Sequence, residues 1–408
     1  MPSAGPIRVH LVVSRLQRGG LEQVLFEVAR GLAPRGFEFR VLALTGPGER
    51  DREFLEAGIP VETLGGRASA GPSALPANLR CFAALLRSVW LWRPHILQSH
   101  HFFSGVLGRA AGLFCRVPSL LQAEHNFYRW KGPLARLADR ALARVTDRFV
   151  VPSQAVAVHV ARTHGAAAGD VAVVPNGMEP PAALSRTEAR LRLGLPPDGP
   201  IVGFVGRLAS PKRPALFLEM AAALAERPCG PCEPGFVMLG DGPLRADCER
   251  LVTRLGLGAR VCMKGAVPGA GALMPAFDVL VACSSEEGFG LAVAEAVLAR
   301  VPVVAVDLPA FREILTTRAA DEFVAPAEAE AEALARAVTA ILSDPARAAI
   351  VAEREREALL PALSLPRMLD RYEALYRALA AGRPAGGEAQ GSSLGGAPQV
   401  RSATTGVP

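Results

Sequence analysis

Two kinds of hydrophobic pattern alternate along this chain. Short runs in which nearly every residue is apolar, such as Ile7–Val13, are followed by longer stretches in which apolar residues return every three or four positions, such as residues 21–32. The first pattern predicts a strand buried on both faces, and the second an amphipathic helix covering it. Further strands are predicted at 37–44, 96–99 and Arg148–Val151. Strands alternating with helices predict an α/β architecture with a parallel sheet. The alternation stops in a Pro-rich passage, Val174-Pro175-Asn176-Gly177 through Pro196-Pro197-Asp198-Gly199-Pro200, which reads as an interdomain linker. It then begins again, with strands predicted at Ile201–Val205, 236–239, 261–263, Val279–Ala282 and 301–306. Two such halves facing one another make a cleft, and ligands of open parallel sheets bind beyond the carboxyl ends of the strands. Near the end, Leu365, Met368, Leu369, Tyr372, Leu375, Tyr376 and Leu379 form one helical stripe. From residue 383 the chain is rich in Gly, Ala, Ser, Pro and Thr, and too poor in large apolar side chains to offset the entropy of ordering, so a disordered tail is expected over 383–408.

Length agrees with this division, since 408 residues exceed one ordinary hydrophobic core. The apolar runs are strand-length and fall short of the roughly 18 to 20 residues that cross a bilayer, and no secretory pattern opens the chain, so the expected location is the cytoplasm. A net charge of +6 fits anionic ligands of several classes, but no basic cluster interleaved with aromatics points to nucleic acid. Seven scattered cysteines do not suggest a disulfide framework. Cys229-Gly-Pro-Cys232 has the spacing of a redox motif, but Pro228 before it and Glu233-Pro234-Gly235 after it break a helix rather than start one, which favours a loop with two incidental thiols. A dinucleotide-dependent dehydrogenase is set aside because neither half has the Gly-x-Gly-x-x-Gly turn.

The segment richest in chemistry is Phe277 through Ala296, where a predicted strand, a glycine-bearing loop with Glu287, Gly288, Phe289, Gly290 and Leu291, and a helix follow one another. Free backbone N–H groups and the helix dipole at such a junction suit a diphosphate. Glu295 falls about one turn into the helix, on the order of 6 Å along its axis, within reach of ribose hydroxyls. Glu287 precedes the helix, and sugar hydroxyls would be its natural partner, since a bare carboxylate beside phosphate is repelled.

Glu287 to Glu295 resembles the E-x7-E motif of the family 4 retaining glycosyltransferases of GT-B fold. Gly19-Gly20 is similar to that family's N-terminal Gly-Gly loop, and Pro175-Asn176-Gly177 to its linker signature. Gly206-Arg207-Leu208 with Lys212, and Gly240-Asp241-Gly242-Pro243, follow in the family's order. The resemblance spans roughly residues 7 to 380 and implies two Rossmann-like domains facing a cleft. The first, 1–180, would serve the acceptor, the second, 181–362, the nucleotide-sugar, and the helix of 363–382 would return to the first.

The resemblance also implies roles. Glu287 would contact the donor sugar and Glu295 the ribose. Gly19 and Gly20 would approach the diphosphate and acceptor, and the backbone at Lys264 and Gly265 would line the base pocket, with Gly206 also on the donor side. His125, in Ala123-Glu124-His125-Asn126, resembles the family's active-site histidine that reaches a donor-sugar hydroxyl, and His100 is a second histidine of that kind. Arg207 and Lys212 would neutralise the leaving diphosphate. The chain has no Asp-x-Asp cluster, so that charge falls to cations and helix ends, and neither metal nor cofactor is expected. Retention would proceed by departure and attack on one face of the sugar, without a carboxylate nucleophile. The implied reaction carries a sugar from a nucleotide-sugar to a glycan or lipid-linked acceptor, as in surface polysaccharide, lipopolysaccharide or glycolipid synthesis. A GT-B epimerase or phosphorylase, or a non-catalytic partner of another transferase, is the alternative. One departure from the family is Ala310 before Phe311-Arg312-Glu313, where glycines are usual, which bears on donor identity.

Between Arg129 and Arg148 the sequence predicts one basic amphipathic helix. Arg136, Arg140, Arg144 and Arg148 recur at four-residue intervals opposite Leu134, Leu137, Ala138, Ala141, Leu142 and Val145. A solvated arginine face or a peripheral contact with an anionic membrane would each account for it.

Overall fold

The computed structural model describes residues 5–17, 19–67, 72–128, 131–180, 184–227, 233–319, 322–324 and 330–382. The expected tail at 383–408 and the Cys229/Cys232 pair lie outside them. The first half runs β1 (Ile7–Val13), α1 (Gly20–Leu32), β2 (Phe37–Ala43), α2 (Asp51–Glu56), β3 (Val61–Thr63), α3 (Leu75–Trp92), β4 (Ile96–His100), α4 (Phe102–Phe114), β5 (Ser119–Ala123), α5 (Pro133–Ala143), β6 (Arg148–Val151), α6 (Gln154–His164) and β7 (Val171–Val173). The second runs α7 (Arg186–Leu193), β8 (Ile201–Val205), α8 (Pro214–Ala225), β9 (Gly235–Leu239), α9 (Arg245–Arg254), β10 (Val261–Gly265), β11 (Val279–Ala282), α10 (Leu291–Leu298), β12 (Val303–Ala305), α11 (Pro309–Ile314), α12 (Glu330–Ser343), α13 (Pro345–Leu359) and α14 (Leu365–Ala380).

The strands form two parallel sheets, seven-stranded in the order β3-β2-β1-β4-β5-β6-β7 and five-stranded in the order β10-β9-β8-β11-β12. In each, the order reverses beside the first strand of its half, between β1 and β4 and between β8 and β11. The loops leaving those four strands therefore splay apart and open a crevice. Gly19-Gly20 follows β1, His101 follows β4, Gly206 to Lys212 follow β8, and Ser284 to Gly290 follow β11.

Each sheet has its own core, and the strands are apolar because helices cover both faces. α14 packs on the first sheet although it follows the second. Its Met368, Tyr372, Tyr376 and Leu379 join Val9, Leu11, Phe37 and Phe39 in one cluster. Arg35 fastens the helix from outside by ion pairs to Asp370 and Glu373, 2.6 and 3.0 Å long. A bridge between Met178 and Ser364 marks where the chain crosses back.

The strands expected at 37–44, 96–99, 236–239 and 261–263 shift by one or two residues at an end, and two expectations change further. The strand expected at 301–306 shortens to Val303–Ala305, which pairs with β11 over three residues and meets only an isolated bridge, Val306 to Val324, on its other side. The single basic helix from Arg129 to Arg148 is instead α5, which begins at Pro133 after the N-cap Gly132 and ends at Ala143. Arg148 already lies in β6, where it pairs with Asp170, so the four arginines do not share a helical stripe. The orientation of α5 also differs from an ordinary surface helix. Asp139 points inward to Lys131 and Arg109, while Leu134 and Leu137 are 80% and 64% exposed. No described helix is long and apolar enough to cross a membrane.

Candidate active site

One wall of the crevice is built by the loop between β11 and α10. Gly290 caps α10 in the left-handed region at φ 97°, and a Cβ there would come within 2.9 Å of the Phe311 ring, so the sharp entry into the helix needs glycine. The turn aims the first free N–H groups of α10 at the crevice and places Glu287 just outside them. Glu287 is met from the neighbouring loop by the Lys212 ammonium and from its own loop by the Ser284 hydroxyl, which donates to Oε1 at 2.9 Å. Lys212 sits in a single helical turn, Ser210–Lys212, after β8. Gly206 precedes it, close enough that a Cβ would touch the Lys212 stem at 3.5 Å. Arg207 is exposed and has no ion-pair partner among the described residues, so its charge is free to meet an anion.

Glu295 lies deeper on α10, half-buried against Gly271. Burial raises its carboxyl to about 7, and the charge of Lys212 opposes that rise. Gly265 ends β10 beside Arg245 and Asp241, a short way along the same edge as Lys264. Phe289 does not face the crevice. Its ring is 6% exposed and belongs to the core of the second sheet, leaving only its backbone for a ligand. Ala310 is likewise buried, in the first turn of α11.

The facing wall comes from the first sheet. Gly19 is the N-cap of α1, and a Cβ on Gly20 would fall 1.9 Å from the Leu291 side chain. The two helix N-termini thus meet across the crevice, where a larger residue at Gly20 would have to displace the Leu291 side chain. A second contact joins Gly288 to His125, whose carbonyl oxygen lies 1.7 Å from where a Gly288 Cβ would be. The Ser153 hydroxyl donates to the Gly288 carbonyl at 2.6 Å, and the Glu313 carboxylate accepts from the N–H groups of Gln154 and Ala155 at 2.9 and 2.8 Å. His125 follows β5 and His100 ends β4, with His100 Nδ1 3.2 Å from His125 Nε2. Burial pushes His125 down to about 3, aided by the nearby His101, so its ring is neutral near pH 7.

The residues expected from the sequence therefore lie around one crevice, Phe289 by its backbone. Sequence reading gave no role to Ser153 and Glu313, which latch the walls. Ser153 carries a legible signal as the N-cap residue of α6, accepting from Val156 N. Glu313 carries none, because its partners are backbone groups 159 and 158 residues away.

The Glu295 carboxyl makes a testable contribution to stability. Its folded-state value is raised above the ordinary 4.5, so the contribution is fully present below 4.5 and is lost as pH rises through about 7. The Tm of the ligand-free wild type should fall relative to Glu295→Gln between about pH 5 and pH 8. Parallel Tm curves for the two proteins would show that burial does not shift this group.

Comparison with known proteins bears on the family and the fold. Residues 185–358 match the family described as Glycosyl transferases group 1, and residues 18–180 match Glycosyltransferase Family 4. A 2-deoxystreptamine glucosyltransferase of Streptomyces kanamyceticus is 30% identical over 79% of this chain and 89% of its own length. A D-inositol 3-phosphate glycosyltransferase of Acidothermus cellulolyticus is 30% identical over 70% of each chain. The solved structure of Anabaena Alr3699/HepE in complex with UDP and glucose superposes with a TM-score of 0.78 over 91% of this chain and all of the other, at 20% identity. With its two facing parallel sheets, and with each half of the chain matched in turn, this protein belongs to the family 4 glycosyltransferases of GT-B fold.

Proposed function

We propose that the enzyme transfers a sugar from a nucleoside-diphosphate donor to a hydroxyl acceptor with retention of anomeric configuration and without a metal. The observation that carries this reading is the convergence of Lys212, Glu287 and Glu295 with two helix N-termini at the point where Gly20 meets Leu291 and Gly288 meets His125. The diphosphate would lie between the N-termini of α1 and α10, its charge met by Arg207, Lys212 and backbone N–H groups. In the free enzyme Lys212 is held by Glu287. Donor binding would exchange that partner for phosphate oxygens and release Glu287 to the sugar hydroxyls. As the bond between the anomeric carbon and the phosphate oxygen breaks, the acceptor oxygen bonds to the same face of the carbon. The departing diphosphate takes the acceptor proton, so no separate general base is needed. Glu295 would hold the ribose, and His125 a donor-sugar hydroxyl.

Two readings of the acceptor have support. A glycan or lipid-linked acceptor, as in surface polysaccharide, lipopolysaccharide or glycolipid synthesis, accords with α5. There Leu134 and Leu137 project beside exposed Arg136 and Arg140, the arrangement of a helix that rests on an anionic bilayer from the cytoplasmic side. A polyhydroxylated ring of cyclitol type accords with the names of the Streptomyces and Acidothermus relatives. A UDP-sugar is the first donor to test, given the UDP and glucose in the Anabaena structure.

The test is acceptor-dependent release of nucleoside diphosphate in EDTA, across UDP-, GDP- and ADP-sugars and acceptors of both classes, with the anomeric configuration of the product read by NMR. Release without acceptor would instead indicate an epimerase- or phosphorylase-like reaction, and an inverted product would overturn the one-face mechanism. The membrane contact is checked separately by vesicle sedimentation. Binding should require anionic lipid and should fall about tenfold or more in a double variant, Leu134→Glu with Leu137→Glu, which loses two apolar side chains from the bilayer boundary. Equal binding by wild type and variant would end that proposal.

A further inference from the structure

A chain of hydrogen bonds leads from the last helix to His125. Tyr376 of α14 is fully buried, and its hydroxyl donates to Gln98 Oε1 at 2.7 Å. Gln98, on β4, places Nε2 3.1 Å from Nε2 of His100. His100 in turn places Nδ1 3.2 Å from Nε2 of His125, and the two rings stack with planes 17° apart. These contacts join α14, β4 and the segment after β5, and they end on the residue that closes against Gly288.

Such a chain can be satisfied in only two directions. A neutral imidazole has one donor nitrogen and one acceptor nitrogen, and an amide offers an oxygen that accepts and a nitrogen that donates. In the first direction, Tyr376 donates to the Gln98 oxygen and the Gln98 amide donates to His100 Nε2. His100 Nδ1–H then donates to His125 Nε2, so His125 carries its own proton on Nδ1. In the second, the amide is turned round, every proton moves to the other end of its bond, and His125 carries its proton on Nε2. That direction strands the hydroxyl proton of Tyr376, because Gln98 is the sole hydrogen-bond partner of that hydroxyl among the described residues. Leaving a buried donor unpaired costs more than an ordinary hydrogen bond gains. Tyr376 therefore sets the direction. Burial lowers His100 well below its usual range, and the nearby His125 and His101 add to this. With His125 lowered as well, both rings are neutral and the tautomer is a real choice.

We infer that Tyr376, through Gln98 and His100, is a positioning residue that holds His125 in the Nδ1–H tautomer, so that the enzyme presents a fixed hydrogen-bond donor to an oxygen of the donor sugar. Nδ1 has no protein partner among the described residues, which leaves it for a ligand. This inference rests on the reading of His125 as a donor-sugar contact, but the tautomer can be measured without it.

The full-length protein is labelled with 15N-histidine, and long-range 1H–15N spectra report which ring nitrogen of His125 is protonated, the signal being assigned by its loss in His125→Ala. The wild type should show the Nδ1–H form alone. Tyr376→Phe, which removes one oxygen, should give a mixture of tautomers and lower kcat about tenfold while KM for the donor changes less than about twofold. Should Tyr376→Phe fail to fold, Gln98→Met breaks the chain from inside the sheet and should give the same mixture. A wild-type His125 protonated on Nε2 overturns the inference, and so does a tautomer that stays Nδ1–H in both folded variants. If His125→Ala transfers sugar at the wild-type rate, the functional reading fails, while the tautomer result stands or falls by itself.

Discussion

Lys212→Ala is expected to lower kcat/KM for sugar transfer by about 10²- to 10³-fold, the cost of removing one preorganised charge from a developing oxyanion. Two features make the effect this large. The Lys212 ammonium reaches Glu287 in the free enzyme and exerts its field on Glu295, so it stands between the carboxylates assigned to sugar and ribose. The other cation, Arg207, is exposed, so it covers the loss only in part. Steady-state kinetics with the donor varied would check this, alongside the Tm. Lys212→Arg should recover part of the rate because the charge remains but its geometry changes. A loss below about threefold in Lys212→Ala would mean that the diphosphate charge is met elsewhere, and the donor site would have to be moved.

Gly288→Ala is expected to cost about 10²-fold in kcat/KM, since misplacement by about 1 Å of groups that must act together is enough for such a loss. The added methyl would sit 1.7 Å from the His125 carbonyl oxygen and 2.7 Å from its carbon, both backbone atoms that no rotamer change can clear. The walls must then separate, which pulls His125 away from Glu287 while leaving both hydrophobic cores intact. Donor binding measured by thermal shift should survive in this variant, because the diphosphate contacts proposed above belong mainly to the second sheet. Gly258→Ala is the control, since nothing lies within 4 Å of a Cβ at that glycine. Equal activities for the two variants would show that the walls need not meet as closely as they do here.

Much of the site was legible in the sequence because its parts are local. A strand, a glycine loop and a helix start lie in one run from Val279 to Leu298, and backbone geometry alone orients Glu287 and Glu295 there. The strands β1, β6, β8 and β11 were legible to the residue because each is a short, mostly apolar, Val-rich run. The basic helix was overextended for the opposite reason. A four-residue repeat of arginines continues through a turn and into β6, and periodicity does not register where Gly132 and Pro133 start a helix or where β6 takes over. Phe289 can serve the crevice through its backbone alone, since packing draws its ring inward while its neighbours in sequence face the crevice. The contact between Gln98 and Tyr376 carried no signal, the two being 278 residues apart and related only through the fold.

The path of α14 has a consequence for how the protein is made. The core under the first sheet is completed by Leu365, Met368, Leu369, Tyr372, Leu375, Tyr376 and Leu379, which are synthesised after the whole second sheet. During vectorial synthesis the N-terminal unit leaves the ribosome with that face of Val9, Leu11, Phe37 and Phe39 uncovered, and it stays so until the end of the chain arrives. The half that emerges first is therefore the half that matures last. The nascent chain relies on the second sheet, whose core draws on residues 178–363 alone, as its first self-sufficient nucleus.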